Sequence, residues 1–253
     1  MFLGQYVAEI QNLATALHKA YRRLEKNSDD EALHDLRIAV RRIRSLIGPL
    51  RSLPENHALR EATAAVGRLT TPTRDLEVLI VELQKQGYSA LAGTRRASLE
   101  TEYQQITQAP EMQHLFAELD QWPAAFARSR LGDDSAELKR TISKALNRQI
   151  RKLHAGVHDA ELDRHQLRIL VKRTRYLTDA FPSLSPLPND AAASLKKAQA
   201  ALGAWHDHFQ WCLRVQQEDE LESLAQKWAD AAEQELEVAE TALKKLARLL
   251  PDE

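Results

Sequence analysis

Apolar side chains recur at steps of three and four along almost the whole chain. Leu33, Leu36, Val40, Ile43, Ile47 and Leu50 form one such series. It predicts a helix of about six turns with a single buried stripe. Asp29 and Asp30 stand before it as expected N-caps, and Pro49 and Pro54 mark its end. The same spacing predicts helices over Tyr6–Leu24, His57–Leu69, Asp75–Leu83 and Leu91–Ile106. Further on it predicts Glu137–Leu153, Leu162–Phe181, Asp190–Leu202, Phe209–Leu224 and Trp228–Leu250. No stretch alternates with the period of two that a half-buried strand requires. The segment Trp122–Ser135 holds Pro123, Gly132, Asp133 and Asp134 and reads as a joint between halves. Pro182, Pro186 and Pro188 mark a second irregular connection.

The two halves repeat one another. The run HDLRIAVRRIR begins at His34, and HQLRILVKRTR begins at His165, an offset of 131 residues. Each copy has a histidine followed by basic residues at +3, +7, +8 and +10. The pairs Arg74-Asp75 and His206-Asp207 follow at an offset of 132. A solvated helix face needs no fixed register, so a register found twice points to duplication of a helical unit. The repeats run over about 1–125 and 132–253.

Steps of three and four place His34, Arg37, Arg41 and Arg44 on one face over ~15 Å. Leu33 and Leu36 immediately precede His34 and Arg37 in the chain. The cations therefore flank the apolar stripe, at the edge of the core, where salt screens less. His165, Arg168, Lys172 and Arg175 repeat the arrangement, with Arg42 and Arg173 beside them. Like charges on a sheltered face need counter-charge. Asp35, Asp75 and Asp207 are too few for both stripes, which leaves room for an external polyanion. Arginine suits that task because its planar fork stays charged and takes phosphate oxygens bidentately.

Composition narrows the classes. With 43% hydrophobic residues among 253, the chain can bury a core, and scarce Gly (8) and Pro (9) favour helices nearly throughout. The formal net charge is only −1, so any polyanion partner must be read from where charge sits. An acidic stretch, Glu218–Glu240, offsets the basic faces. One cysteine, Cys212, excludes an intramolecular disulfide and fits a reducing compartment. No apolar run is long enough to span a membrane, and the start of the chain lacks a signal-peptide pattern.

Taken together, HDLRIAVRRIR with the later TRDLEVL, and HQLRILVKRTRY with LGAWHDHFQW, resemble the CHAD family, the conserved histidine α-helical domain. The resemblance covers essentially the whole chain as a single CHAD domain. It implies an all-α fold of two four-helix bundles related by a pseudo-twofold axis, around a basic central groove or pore. It implies binding of inorganic polyphosphate, a cytoplasmic protein at polyphosphate granules, and association with polyphosphate-metabolising proteins. Carried over by position, the binders are His34, Arg37, Arg41, Arg42, Arg44, Arg74, His165, Arg168, Lys172, Arg173, Arg175 and His206. Two departures bear on whether the halves contribute equally. Thr70-Thr71-Pro72-Thr73 precedes Arg74 where Leu202-Gly203 approaches His206, and residue 206 is histidine rather than arginine. No Glu-x-Glu-x-Lys strand of a triphosphate-tunnel barrel is present, so this is the helical module alone.

Other chemistries have thinner support, and no enzymatic role, metal or cofactor is expected. His206-Asp207-His208, His34-Asp35 and His158-Asp159 could belong to a metal-dependent phosphohydrolase. Adjacent residues on a helix diverge by about 100°, however, so no pair alone chelates an ion well. Cys212 between Trp211 and Leu213 reads as packing rather than a nucleophile. Trp122, Trp205, Trp211 and Trp228 read as core or groove-rim residues. RNA is the alternative partner, weakened by the absence of aromatics among the basic motifs beyond Tyr176. A scaffold for an acidic protein segment is a further alternative.

Overall fold

Leu33, Leu36, Val40, Ile43, Ile47 and Leu50 are all buried, with exposures of 3% or less. The stripe therefore drives α2, Ala32–Ile47, into a core, and a 3-10 turn over Gly48–Leu50 ends it at Pro49. Each such leucine or isoleucine contributes roughly 1.5–3 kcal/mol when fully buried. The computed structural model describes residues 2–250. Among the described residues it has ten α-helices and no strand. The absence of strands is as the periodicity predicts, while the helix over Pro110–Ala127 falls on a stretch for which no helix was expected. The expected caps differ. Glu31 occupies the N-cap of α2 without a side-chain bond, while Asp29 accepts from the Glu31 N–H at 3.1 Å and is held by Arg23.

The chain divides into two compact units, Met1–Ile142 and Ser143–Glu253. The first holds α1 (Phe2–Glu25), α2, α3 (His57–Leu69), α4 (Thr71–Lys85), α5 (Ser89–Gln108) and α6 (Pro110–Ala127). Helix α1 packs on α2, α3 on α6, and α4 on α5. Trp122 stacks on Phe126 at 4.9 Å between ring centroids, and Tyr6 meets both rings. Trp122 Nε1 donates to Asn56 Oδ1 at 2.7 Å, and Asn56 Nδ2 donates to the Leu50 carbonyl at 3.1 Å. This buried relay fixes the connection from α2 to α3, because each polar group excluded from water has a partner. Helix α6 lies partly where the sequence suggests a joint, and Trp122 and Pro123 are inside it. Its buried Met112, Leu115, Phe116, Leu119, Trp122 and Phe126 keep helical spacing, and burial of that face outweighs the interior proline.

The second unit begins within α7 (Ser135–His158) and contains α8 (Arg164–Ala180), α9 (Asn189–Val215) and α10 (Ala225–Leu249). Asp163 caps α8 by accepting from the N–H groups of His165 and Gln166. Leu153, Val171, Leu195, Leu202 and Leu246 lie at the centre of its core. A smaller apolar group joins Trp211 and Trp228 at 5.5 Å near buried Leu221 and Leu224.

Two helices expected over Asp190–Leu202 and Phe209–Leu224 are instead the continuous α9 followed by a 3-10 segment, Asp219–Leu224. Gly203 alone does not break a helix whose Leu202 is held in the core. In the first unit the matching stretch is interrupted. Thr70 separates α3 from α4, and Pro72 at the start of α4 supplies no N–H to continue the ladder. The second unit thus has four helices and the first six.

Candidate functional site

In the first unit α2 and α4 bring His34, Arg37, Arg41 and Arg74 into one electrostatic neighbourhood. His34 is held below the ordinary histidine range, first by burial and then by the charges of Arg74 and Arg41. Arg37 is likewise lowered, by burial foremost, with Asp75 opposing and Arg41 and Arg74 adding to the effect. The fold thus brings residues 40 apart in sequence to one site, with Arg74 standing just past the α3–α4 break. That break is itself tied to the cluster. Arg37 Nη1 donates to Thr70 Oγ1 at 2.6 Å, Thr71 Oγ1 at 3.2 Å and the Gly67 carbonyl at 3.3 Å. Arg37 therefore satisfies acceptors where the helix is interrupted, in addition to carrying charge into the cluster.

Arg74 is anchored by a carboxylate that the sequence reading passes over. Its Nη1 donates to Glu77 Oε2 at 2.6 Å, and the Tyr103 hydroxyl donates to Glu77 Oε1 at 2.7 Å. Glu77 is only 7% exposed. A carboxylate this sheltered partly neutralises Arg74 and competes with any external anion for it. The i,i+3 spacing of Arg74 and Glu77 is the signal that could have revealed the pair. Asp35, by contrast, pairs with Arg23 at 2.6 Å. Glu77→Gln keeps an acceptor for Tyr103 and removes the charge. It is expected to tighten polyanion binding about threefold to tenfold while costing about 1–2 kcal/mol of stability. Titration and thermal melting of the variant check both effects.

The second unit rebuilds the cluster on α8 and α9. The rings of His165 and His206 lie 5.2 Å apart. His206 is pushed down to about 4, by burial first and then by Arg168, His165 and Lys172. The Nδ1 atom of His206 is buried without a hydrogen-bond partner. Position 209, which corresponds to Glu77 at the 132-residue offset, is Phe209, and its ring is 42% exposed. The buried acid of the first repeat is thus an exposed aromatic in the second.

Four of the expected binders lie apart from these groups or bridge to neighbouring helices. Arg42 turns toward α1 and pairs with Glu9 at 2.7 Å. Its counterpart Arg173 is exposed. Arg44 crosses α3 at Gly67, where an added Cβ would stand 3.2 Å from Arg44 Nη1. Arg175 donates to Gln199 on α9 and pairs with Asp179 at 3.3 Å. Gln199 is the positional equivalent of Gly67, so both terminal arginines of the motif bridge to the following helix at the same level.

Within the second unit the histidines of the histidine-aspartate pairs turn to different partners. His208 Nδ1 meets Glu235 at 2.7 Å, His206 faces His165, and His158 Nδ1 donates to the His154 carbonyl at 2.8 Å. Among the described residues no three His, Cys, Asp or Glu side chains gather as metal ligands. Cys212 is partly buried, and burial raises its thiol above the usual range. Trp122, Trp211 and Trp228 are buried, and Trp205 packs against the second core. Among the described residues no helix is long and apolar enough to cross a membrane.

An all-helical chain that twice sets a histidine-led basic motif against a second cation-bearing helix defines the class. The family model for the CHAD domain matches residues 10–216, and the protein belongs to that family. The fold is similar to the crystal structure of the CHAD domain from the plant Ricinus communis. That likeness has a TM-score of 0.65 and 22% identity over 98% of this chain and 87% of that one. It is also similar to PptA from Streptomyces chartreusis, with a TM-score of 0.55 and 17% identity over 98% of both chains. No curated protein matches it in sequence.

Proposed function

We propose that this protein binds inorganic polyphosphate, without chemically altering it, through the matched cation clusters of its two repeats. One observation carries the reading: each repeat brings the motif's first cations together with a fourth basic residue from another helix, Arg74 or His206. Membership of the CHAD family supports it. A linear chain with about one charge per phosphate offers closely spaced oxygens to such groups. Binding would be largely electrostatic and driven by counterion release. In the cell this reading puts the protein in the cytoplasm, at polyphosphate granules, with proteins of polyphosphate metabolism as neighbours.

The test is a calorimetric titration with long-chain polyphosphate at two salt concentrations, with structured RNA and tripolyphosphate as comparators. Tight binding of the long chain that weakens steeply with salt, with RNA and tripolyphosphate much weaker, is the expected result. Equal or tighter binding of RNA would transfer the site to nucleic acid. One observation favours that second reading: Phe209 presents an exposed ring one turn from His206, where a base could stack. Release of orthophosphate during the titration would overturn the non-enzymatic reading.

A further inference from the structure

The two clusters differ at Arg41/Lys172 and at Arg74/His206, and the second difference changes what binding does to protons. In the first repeat the residue is Arg74, which is permanently charged and already has Glu77 as a partner. In the second it is His206. The groups facing His206 from α8 are His165, Arg168 and Lys172. Its own helix adds Asp207 and His208, and the α10 carboxylate on this stretch, Glu235, is taken by His208. A half-buried imidazole among cations stays neutral in the free protein, and its buried Nδ1 has no hydrogen-bond partner. An unpaired buried polar atom is costly. A polyphosphate seated on Arg168, Lys172 and His165 beside it would reverse the sign of the local field at the ring.

We propose that seating a polyanion on the second repeat protonates His206, so that binding there takes up a proton at a position where the first repeat, with Arg74, takes up none. This coupling rests on the polyphosphate reading. Its sign follows from linkage. Cations and burial disfavour the imidazolium in the free protein, and a bound anion favours it, so binding raises the pH at which His206 charges. Affinity then increases as pH falls through the bound-state value. It levels off near 4, where His206 of the free protein is itself charged. A rise of about two pH units on binding makes the complex about tenfold tighter at pH 5 than at pH 8. The internal phosphates of a long chain keep one charge each over this range, so the proton taken up belongs to the protein.

Calorimetry with long-chain polyphosphate near pH 6, in two phosphate-free buffers of different protonation enthalpy, counts the protons directly. The unaltered protein is expected to take up a fraction of a proton to about one proton at His206 for each second-repeat cluster occupied. His206→Arg, which installs the residue of the first repeat, is expected to bind more tightly at pH 8 and to lose His206's share of the uptake. His206→Gln is expected to lose the same share and bind more weakly at pH 5, which separates titration from misfolding of the arginine variant. Uptake undiminished in both variants, or tight binding by the unaltered protein with no uptake, would overturn the coupling. No binding of polyphosphate at any pH would instead overturn the reading on which it stands.

Discussion

Reversing charge at one matched position in each repeat, Arg41→Glu with Lys172→Glu, is expected to weaken polyphosphate binding about a hundredfold or more. Each substitution removes a cation and adds an anion beside the remaining ones. A phosphate nearby then meets a like charge, at a cost of several kcal/mol where water is partly excluded. The loss of two phosphate contacts also lowers the slope of log affinity against log salt by about two. Both residues are partly exposed at the edge of the core, on helices whose buried stripes are made by other residues. The helical circular-dichroism signal should accordingly stay intact. Unaltered affinity in a folded double variant would show that the clusters do not carry the polyanion.

Trp122→Ala is expected to cost about 3–5 kcal/mol of stability, the range for emptying a large aromatic site. The ring is 1% exposed and stacks on Phe126. Removing it also leaves Asn56 Oδ1 buried without the 2.7 Å bond from the indole, which adds an unpaired acceptor to the cavity. Urea unfolding followed by circular dichroism measures the loss. Trp205→Ala, at a partly exposed position, serves as the comparison and should cost less. A loss below about 1 kcal/mol for Trp122 would mean that the first unit is not organised around this relay.

The cation clusters were legible in part. The basic register at His34 and His165, and the downstream Arg74 and His206, are visible as a repeat, and the structure brings the first three cations of each motif to the downstream residue. What periodicity could not show is the destination of each fork. Arg37 serves the α3–α4 break as well as the cluster, Arg42 belongs to Glu9, and Arg175 belongs to Gln199 and Asp179. Long flexible side chains reach several neighbours from one backbone position, so helical spacing fixes where they start and not where they end.

Helix content follows from the sequence alone, because periodic apolar positions and scarce breakers are local properties that α-helices satisfy within one segment. The duplicated register is equally local, and so is the chemical character of its cations. Tertiary structure decided the rest. It made α9 one helix where two were expected, and it folded Trp122 and Pro123 into α6. It also set Glu77 and Tyr103 against Arg74 while leaving His206 Nδ1 without a partner. These outcomes depend on which distant groups meet in a low-dielectric interior, where one buried carboxylate or one unpaired imidazole changes the charge of a site.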